Sequence, residues 1–225
     1  MTIKSDLYFS SPVYRDERTD FLEIVNKISD IAINDSKARD EETELLKKKE
    51  RLGIQIYSQV KDHGWSYQSG PLLNYNELNN FIGYLGSKSY EILDNQGFNL
   101  KNYSLVLDEL WVQEFSKNGG GHQQTHIHYN NHISGFYFLK CSDKTSFPVF
   151  EDPRQSAMMT KLPLKNNDNI SLGQSHIFYK PMPGTVLFFN SYLPHRFEVD
   201  DGIDDFRFVH FNFQAVKKQY IGEKK

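Results

Sequence analysis

The chain has 225 residues, a formal net charge of -3 at pH 7 and one cysteine, Cys141. With a pI near 6.2 it makes no electrostatic case for a nucleic-acid partner or an anionic membrane, and the lone cysteine excludes an internal disulfide and suits a reducing compartment. No basic-then-apolar leader opens the chain and no apolar run reaches membrane-spanning length, so a cytoplasmic protein is expected, long enough to bury about 70 % of its unfolded surface.

Up to residue 103 the patterns are helical. Phe21, Ile24, Val25, Ile28 and Ile31 recur at the spacing of one buried helix face. Residues 36–60 open with the charge run DEETELLKKKER, whose Glu-to-Lys pairs four apart suit a solvated helix face, and His63-Gly64-Trp65 reads as a helix exit through glycine. A third helix is expected over 76–94 on Leu78, Phe81, Ile82, Leu85 and Tyr90, weakened by Gly83 and Gly86.

From residue 104 onward the signal is β, and aromatic residues, the 17 phenylalanines above all, favour strands there. Strands are expected near 104–115, 124–128, 133–140, 147–150, 176–180, 185–190, 195–199 and 205–214, separated by Gly, Pro, Asn and Asp breaks. Eight short strands with no helical period between them favour a sandwich or barrel. The chain thus divides into a helical region, 1–103, packed on an all-β core, 104–225, as one compact domain. The long non-periodic stretch 152–174 has the length of a functional loop, a lid over the substrate.

Within the β region stands an H-x-H pair, His126-Ile127-His128, followed by a lone His195 and, 12 residues later, by Arg207. Imidazoles at i and i+2 on an extended strand point to one face, so one metal ion can take both, with a third from a distant strand. Imidazole suits zinc, copper and iron alike. His122, His132, His176 and His210 read as loop or barrel histidines, and His210 shares neither parity nor face with Arg207.

The stretches HIHYNNHISGFYFL, VFEDPR, PMPGTVLFFNSYLPHRFE and FRFVHFNF resemble the 2-oxoglutarate- and iron(II)-dependent oxygenases, in particular a prolyl-hydroxylase-like branch common in phage and marine bacterial genomes. The resemblance implies a double-stranded β-helix, a jelly-roll or cupin-like barrel with flanking N-terminal helices. It also implies hydroxylation of a small-molecule or peptide substrate, with Fe(II), O2 and 2-oxoglutarate as cofactors and succinate and CO2 as products. The location would be cytoplasmic, in the host cell if the chain is phage-encoded. Position by position, it makes His126 and His195 metal ligands and Arg207 the partner of the distal carboxylate of 2-oxoglutarate, and His128 of the H-x-H pair is read as the third ligand. Tyr137 would add a phenol donor to the co-substrate. The chain departs from the family at His128, where a carboxylate is usual. Asp152 or Glu151 in VFEDPR is the alternative third ligand, and Asp-Pro is also a common turn opener. A different class of function stays open too: a non-catalytic metal-binding β-helix or cupin-type binding module.

Overall fold

Continuously buried aromatic strands build the frame. In the computed structural model, which describes residues 10–40, 66–154, 162–166 and 169–220, all eight strands expected after residue 103 are present. They are β3 (Tyr103–Phe115), β4 (Gln123–His126), β5 (Ile133–Lys140), β6 (Pro148–Glu151), β7 (His176–Phe178), β8 (Thr185–Asn190), β9 (His195–Phe197) and β10 (Arg207–Lys217). Two further strands correct the helical reading of the first 103 residues: β1 (Val13–Glu17) pairs with β8, and β2 (Ser66–Gln68) pairs with β3. Every pairing is antiparallel. The larger sheet runs β1-β8-β5-β10-β3-β2 and the smaller β4-β9-β6-β7, the two sheets of a double-stranded β-helix.

The larger sheet is covered on both faces, so β8 is buried from end to end and β5 up to its last residue. One face meets two helices, α1 (Leu22–Asp40) and α2 (Asn79–Asn95), through Val25, Ile28 and Ile33 of α1 and Phe81, Leu85 and Leu93 of α2. Sheet residues Tyr137, Val209, Phe211 and Phe213 belong to this layer. The expected face of α1 holds at Val25 and Ile28 but passes to Ala32 and Ile33, leaving Ile31 exposed. The other face looks into the barrel and is lined by Phe115, Phe136, Phe138, Phe189 and Phe208, which pack on Phe150 and Phe197 of the smaller sheet. Along β10 the odd positions therefore face the helices and the even positions face the barrel, as strand alternation requires. A β-carbon at Gly135 would lie 2.1 Å from the Phe211 ring and 2.3 Å from the Leu187 carbonyl oxygen, so only glycine lets β5 pack this closely.

Most of the charge run at 36–60 and all of His63-Gly64-Trp65 lie outside the described residues. Among those described, no helix is long and apolar enough to cross a membrane.

Candidate metal centre

The β4–β9 pairing sets His126 directly opposite His195, and β6 on the other side of β9 sets Phe150 opposite His195. His128 lies two residues beyond the end of β4, where its backbone N–H donates to the Ser191 carbonyl at 3.0 Å. The three rings converge, with centroids 4.4 Å apart for His126 and His195, 5.0 Å for His126 and His128, and 5.1 Å for His128 and His195. A ligand nitrogen from each lies within 4.8 Å of the others. The Nε2 atoms of His128 and His195 are 3.2 Å apart, close to the separation of two adjacent ligands on one ion.

Hydrogen bonding determines which nitrogen of each ring is free. His126 Nδ1 lies 2.7 Å from the Gln124 carbonyl and His195 Nδ1 lies 2.9 Å from the Leu193 carbonyl. A carbonyl only accepts, so both Nδ1 atoms carry the proton and both Nε2 lone pairs face the cluster, the outer-shell arrangement of metal-binding histidines. His128 is set the other way. The Asn212 amide donates to the Glu109 carboxylate at 2.7 Å, while its oxygen accepts from Ser134 Oγ at 2.6 Å. These partners orient the amide, whose nitrogen then donates to His128 Nδ1 at 3.1 Å and leaves the His128 proton on Nε2.

Burial pushes the His195 pKa down to about 3, against its bond to the Leu193 carbonyl and with help from the neighbouring imidazoles. Burial, then the charge of His126, pushes His128 down to about 4. Both rings are therefore neutral near pH 7, the form that ligates a metal without first losing a proton.

A fourth histidine, read from the sequence as a barrel histidine, faces the same space. His210, on the barrel face of β10, stacks between Trp111, 4.5 Å away, and His128, 4.6 Å away. Its Nε2 is 3.3 Å from His128 Nε2. Its neighbours are the barrel-facing residues of β3 and β10, since Glu109 is paired with Asn212 and Trp111 with His210. The alternation of Glu109, Trp111 and Gln113 along β3 is the sequence signal for this face.

Three expected site residues are placed elsewhere. Arg207 occupies an odd position of β10 and turns to the helix side, where Nε donates to Glu114 at 2.7 Å, Nη2 also reaches Glu114, and Nη1 meets Asp30 of α1. Tyr137 lies in the same layer, with its hydroxyl donating to the Arg18 carbonyl at 2.7 Å. Neither side chain reaches the histidines. Asp152 accepts from the Arg154 backbone at 2.9 Å and from its guanidinium at 2.9 and 2.7 Å. It is the turn residue of Asp-Pro and not part of either metal-competent group among the described residues. Glu151 is taken up by Arg196 and by Thr125 Oγ1 at 2.8 Å.

His126 opens on a cleft of about 820 Å³ lined also by Tyr129, Glu151, Asp152, His176 and Arg196. Arg196 follows the inward His195 and points outward, as alternation demands. The described parts of the 152–174 stretch enclose an adjoining cavity of about 570 Å³ against Asp152 and Arg154; residues 155–161 and 167–168 of that stretch lie outside the described residues.

Residues 109–209 match the family model described as "Putative 2OG-Fe(II) oxygenase". The fold is that of a Pseudomonas putida prolyl-4-hydroxylase, with a TM-score of 0.50 and 10 % identity over 91 % of this chain and 89 % of that one. An oxidoreductase of the 2OG-Fe(II) oxygenase family from Burkholderia pseudomallei aligns with a TM-score of 0.45 and 13 % identity over 67 % of this chain and 69 % of that one. A prolyl hydroxylase from Trichoplax adhaerens, solved with a hypoxia inducible factor peptide fragment, aligns with a TM-score of 0.43 and 13 % identity over 66 % of this chain and 63 % of that one. No curated protein matches the chain.

Proposed function

We propose that this chain, which resembles the 2-oxoglutarate- and iron(II)-dependent oxygenases through residues 109–209, is an iron-dependent oxygenase that hydroxylates a small-molecule or peptide substrate with 2-oxoglutarate as co-substrate. One observation carries the reading: the convergence of His126, His128 and His195 at the mouth of the barrel. The donor set fits iron. Two rings already present Nε2 lone pairs, and the third does so once its proton passes from Nε2 to Nδ1 within a neutral ring. Bound iron and its co-substrate would supply the oxygen chemistry. The chain would hold the ion on three rings, and Phe136, Phe150 and Phe189 around His195 would keep water from its buried side. The cleft beside His126 has the size of a small-molecule or single-residue site and would admit the substrate.

The distal carboxylate of 2-oxoglutarate has no partner in Arg207, and the barrel-facing neighbours of Arg207 are phenyl rings. No residue there is assigned to it. Arg196 lines the cleft, but it points outward and is already paired with Glu151 and Glu198.

Anaerobic titration with Fe(II), followed by 2-oxoglutarate, tests the reading. One equivalent of iron and a weak visible charge-transfer band on adding 2-oxoglutarate are expected. Failure to take up iron refutes the metal centre. Iron uptake without the band favours the non-catalytic binding module, the reading that the turned-away Arg207 supports.

A further inference from the structure

A second donor set lies against the first. Ligand atoms of Glu109, His128 and His210 come within 4.8 Å of one another. Two imidazoles and a carboxylate have the composition of the iron-binding facial triad, which His126, His128 and His195 lack. His210 Nδ1 is buried with no hydrogen-bond partner, and it lies 4.0 Å from Glu109 Oε2. Two donors on one ion, each about 2.0–2.2 Å from it, fall within that separation. A buried polar nitrogen without a partner is costly and calls for an explanation. The Asn212 amide bridges the remaining donors, Glu109 Oε2 at 2.7 Å and His128 Nδ1 at 3.1 Å, offering both of them the positive end of its dipole, as a cation would.

We propose that Glu109, His128 and His210 form a second divalent-cation position, filled in alternation with the first because both need His128. A neutral imidazole has one lone pair. On Nε2 it serves the set with His126 and His195, and on Nδ1 it serves the set with Glu109 and His210. The hydrogen bond from Asn212 places it on Nδ1, toward the second set. Moving the ion from one set to the other costs one tautomer change at His128 and the rotation or release of the Asn212 amide. The inference rests on the metal centre proposed above and adds to it a second donor set on the β3–β10 side.

Co(II), whose visible bands report its ligands, is the probe, added to the full chain. His126→Ala disables the first set and Glu109→Gln the second. Both positions are partly exposed, and the glutamine keeps an acceptor for Asn212 while losing the charge. Far-UV circular dichroism and the melting temperature establish that each variant is folded. Wild type is expected to bind one equivalent, and each single variant to retain one equivalent, with altered bands in His126→Ala. The double variant should lose more affinity than the about 10–100-fold typical of removing an outer-shell partner. Loss of binding in His126→Ala alone overturns the second position, as does an affinity in the double variant equal to that of His126→Ala. Two equivalents in wild type overturn the alternation. If Glu109→Gln alone abolishes binding while His126→Ala leaves affinity and bands unchanged, the second set stands and the first, with the proposed function, falls.

Discussion

Replacing Arg207 with methionine separates a structural from a co-substrate role. The Arg207 side chain is 6 % exposed and its chief partner, Glu114, is 14 % exposed, whereas Asp30 is 57 % exposed. Stripping a nearly buried carboxylate of its guanidinium costs about 3–5 kcal/mol, while the exposed Asp30 contact adds at most about 1 kcal/mol. At about 2–4 °C per kcal/mol for a domain of this size, the melting temperature should fall by roughly 6–24 °C. Urea and thermal unfolding of Arg207→Met, Glu114→Met and the double variant measure this. The double variant should recover part of the loss, because two apolar side chains replace a buried pair at little net cost. In the folded Arg207→Met protein, affinities for Fe(II) and 2-oxoglutarate should stay within about twofold of wild type. The opposite pattern refutes the reasoning: stability changed by less than about 0.5 kcal/mol together with a 2-oxoglutarate affinity weakened by about 30-fold or more, the signature of a lost charge partner.

Two further outcomes follow from the site. His195 protonates near 6.5 in the unfolded chain but only at about 3 in the fold, so the unfolded state takes up the proton first; stability is whole above pH 6.5 and falls as the pH drops toward 3. At about 1.4 kcal/mol per pH unit the loss from this residue reaches about 2 kcal/mol by pH 5, to be read as the difference in urea midpoints between metal-free wild type and His195→Phe; parallel pH profiles would contradict it. Tyr137→Phe should cost about 1 kcal/mol, one hydrogen bond to the Arg18 carbonyl, and leave Fe(II) and 2-oxoglutarate binding unaltered; a tenfold loss of 2-oxoglutarate affinity would place the phenol in the site instead.

The strands of the second half were legible because their apolar residues are large, aromatic and bounded by turn formers. β1 and β2 were not. VYRDE carries three charges on an edge strand, and the three residues of β2 are too few to show a period. The histidine cluster was legible from the i, i+2 pair and a distant third, although His128 lies past the end of β4 and owes its position to the Ser191 carbonyl as much as to alternation. Asp152 and Glu151 could not be judged from the sequence, since whether a carboxylate ligates or binds a neighbouring arginine depends on where Arg154 and Arg196 fall in space.

The helix-side placement of Arg207 has a more general reason. Alternation says which residues of β10 share a face, and it does so correctly: His210 and Arg207 are on opposite faces. It does not say which face is inside when both are covered, here by helices on one side and the smaller sheet on the other. Apolar residues at Phe208, Val209 and Phe211 fill both faces alike. The cross-strand partners decide it. β10 lies against β3 with Arg207 opposite Glu114, His210 opposite Trp111 and Asn212 opposite Glu109. A buried guanidinium requires acids, and Glu114 and Asp30 supply them on the helix side. The β10–β5 pairing slips by one residue between Arg207 and Phe208, at the point where the strand enters the sheet. That irregularity sits beside Arg207, whose chain neighbours Phe206 and Phe208 face the barrel. Across the same strand, His210 and Asn212 bring polar chemistry to the barrel side at the histidine cluster itself, whereas phenyl rings line the barrel face beside Arg207.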